Sequence, residues 1–293
     1  MTTSRRSVLV AGAALLAAAG CAAEPAPPAV VGNAPPDPGP RLAAIEAGFG
    51  GRLGVFALDT ATGVSVGHRA DERFLLCSTS KLPTAAAILA AGVPLDEVVR
   101  YAPTDLVRNS PTTSRATALS VRDLCVAAIT VSDNTAENLL LRRLGGPEAV
   151  EAYVRSIGDG VSSFDRTEPA LNVRHGTLDT STPRQMAATL QACTLGAGLD
   201  EAGRAQLTAW LVANTTGDRR IRAGLPPGWR TGDKTGSGDG GEVNDVAITW
   251  PPTGAPPVLI AVYTEPADPT VTTTGSALPA AATVVIEALG GRR

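Results

Sequence analysis

Ser78-Thr79-Ser80-Lys81-Leu82-Pro83-Thr84-Ala85-Ala86-Ala87-Ile88-Leu89-Ala90-Ala91-Gly92 is the stretch around which the rest of the chain is organised. Its alanine-rich second half predicts a helix closed by Gly92. A proline is tolerated only near a helix's first turn, where the backbone N–H groups lack helical partners in any case. Pro83 therefore sets the helix start at about Ser78, where the macrodipole favours negative charge. Ser78 and Lys81, three residues apart, share one helix face with about 5–6 Å between their Cβ atoms. At that distance the Lys81 nitrogen reaches the Ser78 hydroxyl, which is a poor nucleophile until a neighbour takes its proton. The chain has only two lysines, Lys81 and Lys234, against 23 arginines. Lysine can lose its proton in a desolvated site and arginine cannot, so both lysines are candidates for chemistry.

Working outward, residues 41–48 predict a short helix. Residues 53–59 and 64–68 alternate apolar and polar positions around Thr60-Ala61-Thr62-Gly63, which predicts a hairpin. Helices are expected over 121–130, 135–144, 147–157, 183–195 and 201–213, with Pro147 at a helix start. Residues 163–182 lack periodicity and read as a long surface loop of the kind that tends to be functional. After Pro226-Pro227-Gly228 the character changes to strands at 229–235, 243–250 and 258–264, followed by an apolar helix at 277–289. The fold class is therefore α+β. The hairpin and the last three strands, the only sheet material expected, join into one five-stranded antiparallel sheet flanked by the terminal helices (residues 41–67 and 216–293). The helical middle (68–215) forms an all-α lobe. The cleft between the lobes brings together residues near 78, 132, 168 and 234.

At 293 residues the chain has room for one large domain or two lobes sharing a core. Its composition, 44% hydrophobic and 18% charged, is ordinary for a soluble globular protein. The absence of a basic patch and an aromatic content of 3% argue against a nucleic-acid binder. Residues 1–20 read as an export signal, with Arg5 and Arg6 ahead of an apolar run too short to span a bilayer. Ser4-Arg5-Arg6-Ser7-Val8-Leu9 resembles a twin-arginine signal, although an ordinary secretory route fits as well. Ala18-Ala19-Gly20-Cys21 resembles a bacterial lipoprotein cleavage site with Cys21 lipidated. The proline-rich residues 21–40 read as a tether, and 41–293 as the catalytic domain. The expected location is outside the cytoplasm, held to the membrane only by the anchor, with the chain a monomer. Cys77, Cys125 and Cys193 remain, an odd number that leaves a free thiol unless a partner chain pairs with it. With two histidines and no C-x-x-C, a structural zinc site is not expected, nor is any cofactor.

Ser78-x-x-Lys81, Ser132-Asp133-Asn134 and Lys234-Thr235-Gly236 together resemble the three elements of class A β-lactamases and penicillin-binding proteins. Glu168-Pro169-Ala170-Leu171-Asn172 resembles the loop motif that distinguishes class A β-lactamases. The resemblance runs from about Arg41 to Leu289 and implies the following roles. Ser78 attacks the lactam carbonyl to form an acyl-enzyme, with the backbone N–H groups of Ser78 and Ser237 as oxyanion hole. Either Lys81 or Glu168 takes the serine proton. Ser132, in the field of Lys234, passes a proton to the leaving nitrogen. Asn134 binds the substrate side-chain amide, while Lys234, Thr235, Gly236, Ser237 and Arg220 line the carboxylate site. Arg219 and Arg222 are the neighbouring alternatives to Arg220. Glu168 and Asn172 hold the hydrolytic water, and an Arg166–Asp179 pair pins the neck of their loop.

The chain departs from the pattern in places. The loop between Asn172 and Asp179 is shorter than usual, and Asn109 stands where many relatives carry an aromatic at the cleft mouth. Ala85 and Gly238 occupy the positions that would pair Cys125 and Cys77 in disulfides, so buried free thiols are expected. Two other functions compete. A D-alanyl-D-alanine peptidase or transpeptidase leaves Glu168 and Asn172 without a purpose, and a penicillin-binding sensor that acylates without turnover needs no hydrolytic water.

Overall fold

In the stretch Val258-Leu259-Ile260-Ala261-Val262-Tyr263 every residue is buried, the pattern of a central strand covered on both faces. The computed structural model describes residues 1–2, 37–268, 270 and 274–290. The chain divides into two units, Met1–Ala34 and Pro35–Arg293. Residues 3–20 of the expected export segment, Cys21 and most of the tether lie outside the described residues. No described helix is long and apolar enough to cross a membrane.

In chain order the second unit contains α1 (Gly39–Phe49), β1 (Gly51–Asp59), β2 (Ser65–His68), β3 (Phe74–Leu75), α2 (Lys81–Ala90), β4 (Val98–Arg100) and β5 (Ala118–Ser120). The helices α3 (Val121–Thr130), α4 (Asn134–Leu144) and α5 (Pro147–Ser156) follow, then β6 (Thr180–Ser181), α6 (Pro183–Thr194) and α7 (Glu201–Val212). It closes with β7 (Arg230–Ser237), β8 (Val243–Trp250), β9 (Val258–Pro266) and α8 (Thr274–Ala288). The main sheet is antiparallel, in the order β2-β1-β9-β8-β7. Successive side chains point to opposite faces, and the core divides accordingly. Leu53, Val55, Val258, Ile260 and Val262 pack with α1 and α8. Phe56, Val246, Leu259, Ala261 and Tyr263 pack with the helical lobe. Each face carries one apolar layer, and the α+β architecture follows.

Three expectations need correction. The first helix, expected over 41–48, begins at Gly39, because Pro40 sits in its first turn, where its missing N–H costs nothing. The hairpin and last three strands are not the only sheet material: β3 pairs with β6 and β4 with β5. These strands of two or three residues are too short to show a period. The helix carrying Ser78 opens as a 3₁₀ turn over Cys77–Ser80, and α2 proper starts at Lys81, which leaves Pro83 in its first turn.

Candidate active site

Ser78 sits where β7 touches the helical lobe. Cys77 and Ser132, both non-glycine, hold φ angles of 48° and 57°, conformations that cost about 1–3 kcal/mol each and recur at active sites. The bend at Cys77 delivers Ser78 at the start of α2, a helix buried over most of its length. The Asn244 amide holds this bend, donating to the Leu75 carbonyl at 2.9 Å. A Cβ on Gly236 of β7 would lie 3.1 Å from the Leu76 carbonyl and 3.2 Å from Cys77 Cβ. Glycine is what allows that strand to lie against the nucleophile turn.

Lys81 is fully buried. Its Nζ donates to Ser78 Oγ at 2.7 Å, Glu168 Oε1 at 2.6 Å and Asn134 Oδ1 at 3.0 Å. Ser78 Oγ donates to Glu168 Oε1 at 3.3 Å. Burial alone pushes the Lys81 amine down, but Glu137 and Glu168 outweigh it and leave it above the ordinary lysine value. Serine, lysine and carboxylate thus form one buried network.

Asp133 N-caps α4 by accepting from the Ala136 N–H at 2.9 Å, and it also accepts from the Thr112 and Thr113 amides and the Thr113 hydroxyl. That anchors Ser132 and Asn134 on either side of it. Asn109, at the cleft mouth, donates from its amide to the Ser132 carbonyl at 3.2 Å and accepts from the Asn134 N–H at 3.0 Å. Ser132 Oγ accepts from Lys234 Nζ at 3.1 Å. Lys234 is fully buried, and burial, with the Lys81 charge adding to it, lowers its pKa to about 7.

Glu168 and Asn172 lie on the loop between α5 and β6. The Asn172 amide donates to Glu168 Oε2. Asp179, φ 52°, closes the loop's neck: it accepts from Arg166 Nε at 2.5 Å and from the Asp165 and Arg166 amides at 2.9 and 3.0 Å. Arg166 also donates to the Val173 carbonyl at 2.8 Å, so it spans the loop from within.

Thr235, Gly236 and Ser237 run along the cleft edge of β7, and Ser78 and Ser237, whose N–H groups are the expected oxyanion donors, both line the same cavity of about 440 Å³. Of the three neighbouring arginines, Arg220 enters it, donating to the Gly236 carbonyl at 2.7 Å and to Ser237 Oγ at 3.0 Å. Arg222 is held by Asp233 instead, and Arg219 is exposed. Among the described residues no group of three or more His, Cys, Asp or Glu could hold a metal. Cys77, Cys125 and Cys193 are buried free thiols.

Two residues of the site were not anticipated. The Asn138 amide donates to the Glu168 carbonyl and accepts from the Glu168 N–H, both at 2.9 Å, which clamps the loop onto α4. Glu137 is buried beside Lys81, with Oε2 3.0 Å from Nζ, and accepts from Ser80 Oγ at 2.7 Å. Their signal was present in Thr135-Ala136-Glu137-Asn138-Leu139: polar side chains at i+3 and i+4 from Asn134 share its helix face.

The family model described as the β-lactamase enzyme family matches residues 38–286. A β-lactamase of Amycolatopsis lactamdurans is 47% identical over 264 residues, covering 87% of both chains. β-Lactamase AST-1 of Nocardia asteroides is 48% identical over 260 residues, covering 86% of this chain and 83% of its own. Among solved structures, a class A β-lactamase from Mycobacterium abscessus superposes with a TM-score of 0.84 at 49% identity, covering 86% of this chain and 99% of its own.

Proposed function

The chain belongs to the class A branch of the β-lactamase enzyme family, and from that premise we propose that it hydrolyses the amide bond of β-lactam antibiotics. Ser78 Oγ bonds to the lactam carbonyl carbon, the serine proton leaves toward Glu168, and the ring C–N bond breaks as Ser132 supplies a proton to the nitrogen; the proton taken by Glu168 then passes by way of Lys81 to Ser132, which leaves Glu168 a carboxylate again. The Ser78 and Ser237 N–H groups hold the oxyanion, a contribution of about 3 kcal/mol for each donor. A water held by Glu168 and Asn172 then gives a proton to Glu168 and its oxygen to the acyl carbon, the bond from Ser78 Oγ to that carbon breaks, and Glu168 returns the proton to Ser78 Oγ. Lys234, Thr235, Ser237 and Arg220 bind the substrate carboxylate, and Asn134 its side-chain amide.

One observation carries the reading: Glu168 touches the Ser78 hydroxyl with one oxygen and Asn172 with the other. A general base for releasing the ester is thus built in beside the nucleophile. The peptidase and sensor readings give that pair no task. Steady hydrolysis of a chromogenic cephalosporin by purified residues 22–293 is the expected result. A stoichiometric burst without turnover overturns the proposal.

We further propose that the mature protein works outside the cytoplasm, lipidated at Cys21, as a monomer. Arg5 and Arg6, the apolar run and the small residues before Cys21 support the first part.

A further inference from the structure

Four oxygens crowd one ammonium at the centre of the site. Lys81 Nζ has three N–H groups, and Ser78, Asn134 and Glu168 take one each. The fourth oxygen, Glu137 Oε2, lies 3.0 Å away and accepts no hydrogen bond. Glu137 therefore offers Lys81 charge rather than a directed bond. Its other oxygen is fixed by the Ser80 hydroxyl, on the first turn of the helix that carries Lys81. Its side chain is 1% exposed, so water does little to screen the attraction.

We propose that Glu137 is a positioning residue that acts through Lys81: its carboxylate keeps Lys81 an ammonium in the resting enzyme, so that Lys81 donates to Ser78 and the serine proton leaves toward Glu168. A neutral Lys81 has two N–H groups and a lone pair. With both carboxylates ionised, the lone pair could face only the Ser78 hydroxyl, because its other three neighbours are then acceptors. That arrangement makes Lys81 the base, and a second carboxylate beside it opposes the loss of its proton. Glu137 and Glu168 together hold the Lys81 amine above its ordinary value against the effect of burial. The inference rests on the proposed hydrolase chemistry for its consequence, but not for its geometry.

The other charged groups around Glu137 are few. It faces Lys81 from α2, Glu168 from the loop and the field of Lys234 from β7. On its own helix, Asp133 is taken up by Thr112 and Thr113. α4 also packs against α3 and α5. On those helices Arg122, Asp123, Glu148 and Arg155 are exposed, and Glu151 is bound to Arg155 and the Phe164 amide.

Because the chain has two lysines, protein labelled with ¹³C at lysine Cε gives two side-chain signals, and a Lys234→Arg variant tells which is which. In the unmodified sequence the Lys81 signal should keep its ammonium shift through neutral pH and titrate above the ordinary lysine value. Glu137→Gln, of the same size but uncharged, should lower that midpoint by about 1–3 pH units, and Glu137→Asp should restore most of it. A neutral Lys81 at pH 7 in the unmodified protein overturns the proposal, as does an unchanged midpoint in a folded Gln variant. Should the Gln variant not fold, the titration of the unmodified protein decides alone. These titrations need no turnover. A protein that fails to hydrolyse β-lactams therefore refutes the proposed function and leaves the Lys81 result standing.

Discussion

Asp179→Asn separates the charge at the loop's neck from its shape. The amide is the same size as the carboxylate, and asparagine tolerates the positive φ of 52° found there. Its Oδ1 can go on accepting from the Asp165 and Arg166 N–H groups, now at 2.9 and 3.0 Å. The second oxygen, at 2.5 Å from Arg166 Nε, becomes either an NH₂ facing another donor or a group turned away. Removing one partner of a fully buried ion pair costs about 3–5 kcal/mol. Here Asp179 is 5% exposed but Arg166 is 23% exposed, and the arginine keeps the Val173 carbonyl. The expected loss is therefore smaller, about 2–3 kcal/mol. For a domain of this size that lowers Tm by about 4–12 °C. Asp179→Ala strands two more backbone donors and places a Cβ without polar rescue at positive φ, so it should lose about 2 kcal/mol beyond the Asn variant. Thermal melting measures both. Because the neck positions Glu168 and Asn172, kcat for a chromogenic cephalosporin should fall with Tm. An Asn variant that melts within about 1 °C of the unmodified protein, with unchanged kcat, refutes the claim that this pair holds the loop.

Asn138→Ala removes both hydrogen bonds between α4 and the Glu168 backbone. It should cost about 1–3 kcal/mol of stability and slow deacylation more than acylation, separable by pre-steady-state kinetics. Lys234 carries a pKa lowered to about 7, so the free enzyme loses this cation as pH rises through about 7. kcat/KM for carboxylate substrates should fall on that alkaline side, and Lys234→Arg should move the fall to higher pH, because guanidinium stays charged. The same depressed pKa adds stability as pH rises between about 7 and the unfolded lysine value near 10.4, where the unfolded chain binds the extra proton. The raised Lys81 acts in the opposite sense only at still higher pH.

The parts legible in the sequence are those whose information is local. Ser78 and Lys81 meet because three residues separate them on a helix. Ser132-Asp133-Asn134 and Lys234-Thr235-Gly236 each lie within one turn or strand. The sheet was legible because β1, β8 and β9 alternate or run apolar over eight or nine residues. What escaped is tertiary. Glu137 and Asn138 sit in a helix otherwise rich in leucine, and their partners, Lys81 and the Glu168 backbone, come from elsewhere in the chain. The short strands β4 and β5 lack the length to show a period. That Arg220 rather than Arg222 lines the cavity follows from Asp233, which occupies Arg222 from the neighbouring strand.

The central claim is that attachment and release depend on Glu168 unequally: in attachment it takes the Ser78 proton, a task Lys81 can take over from beside the serine, whereas in release Glu168 with Asn172 activates the water. Intact-protein mass after mixing Glu168→Ala with a cephalosporin tests it most directly. The expected result is a persistent mass increase equal to the acylating fragment, located on Ser78 and absent from the unmodified protein after turnover. A Glu168→Ala protein that turns over at the unmodified rate and carries no adduct contradicts it.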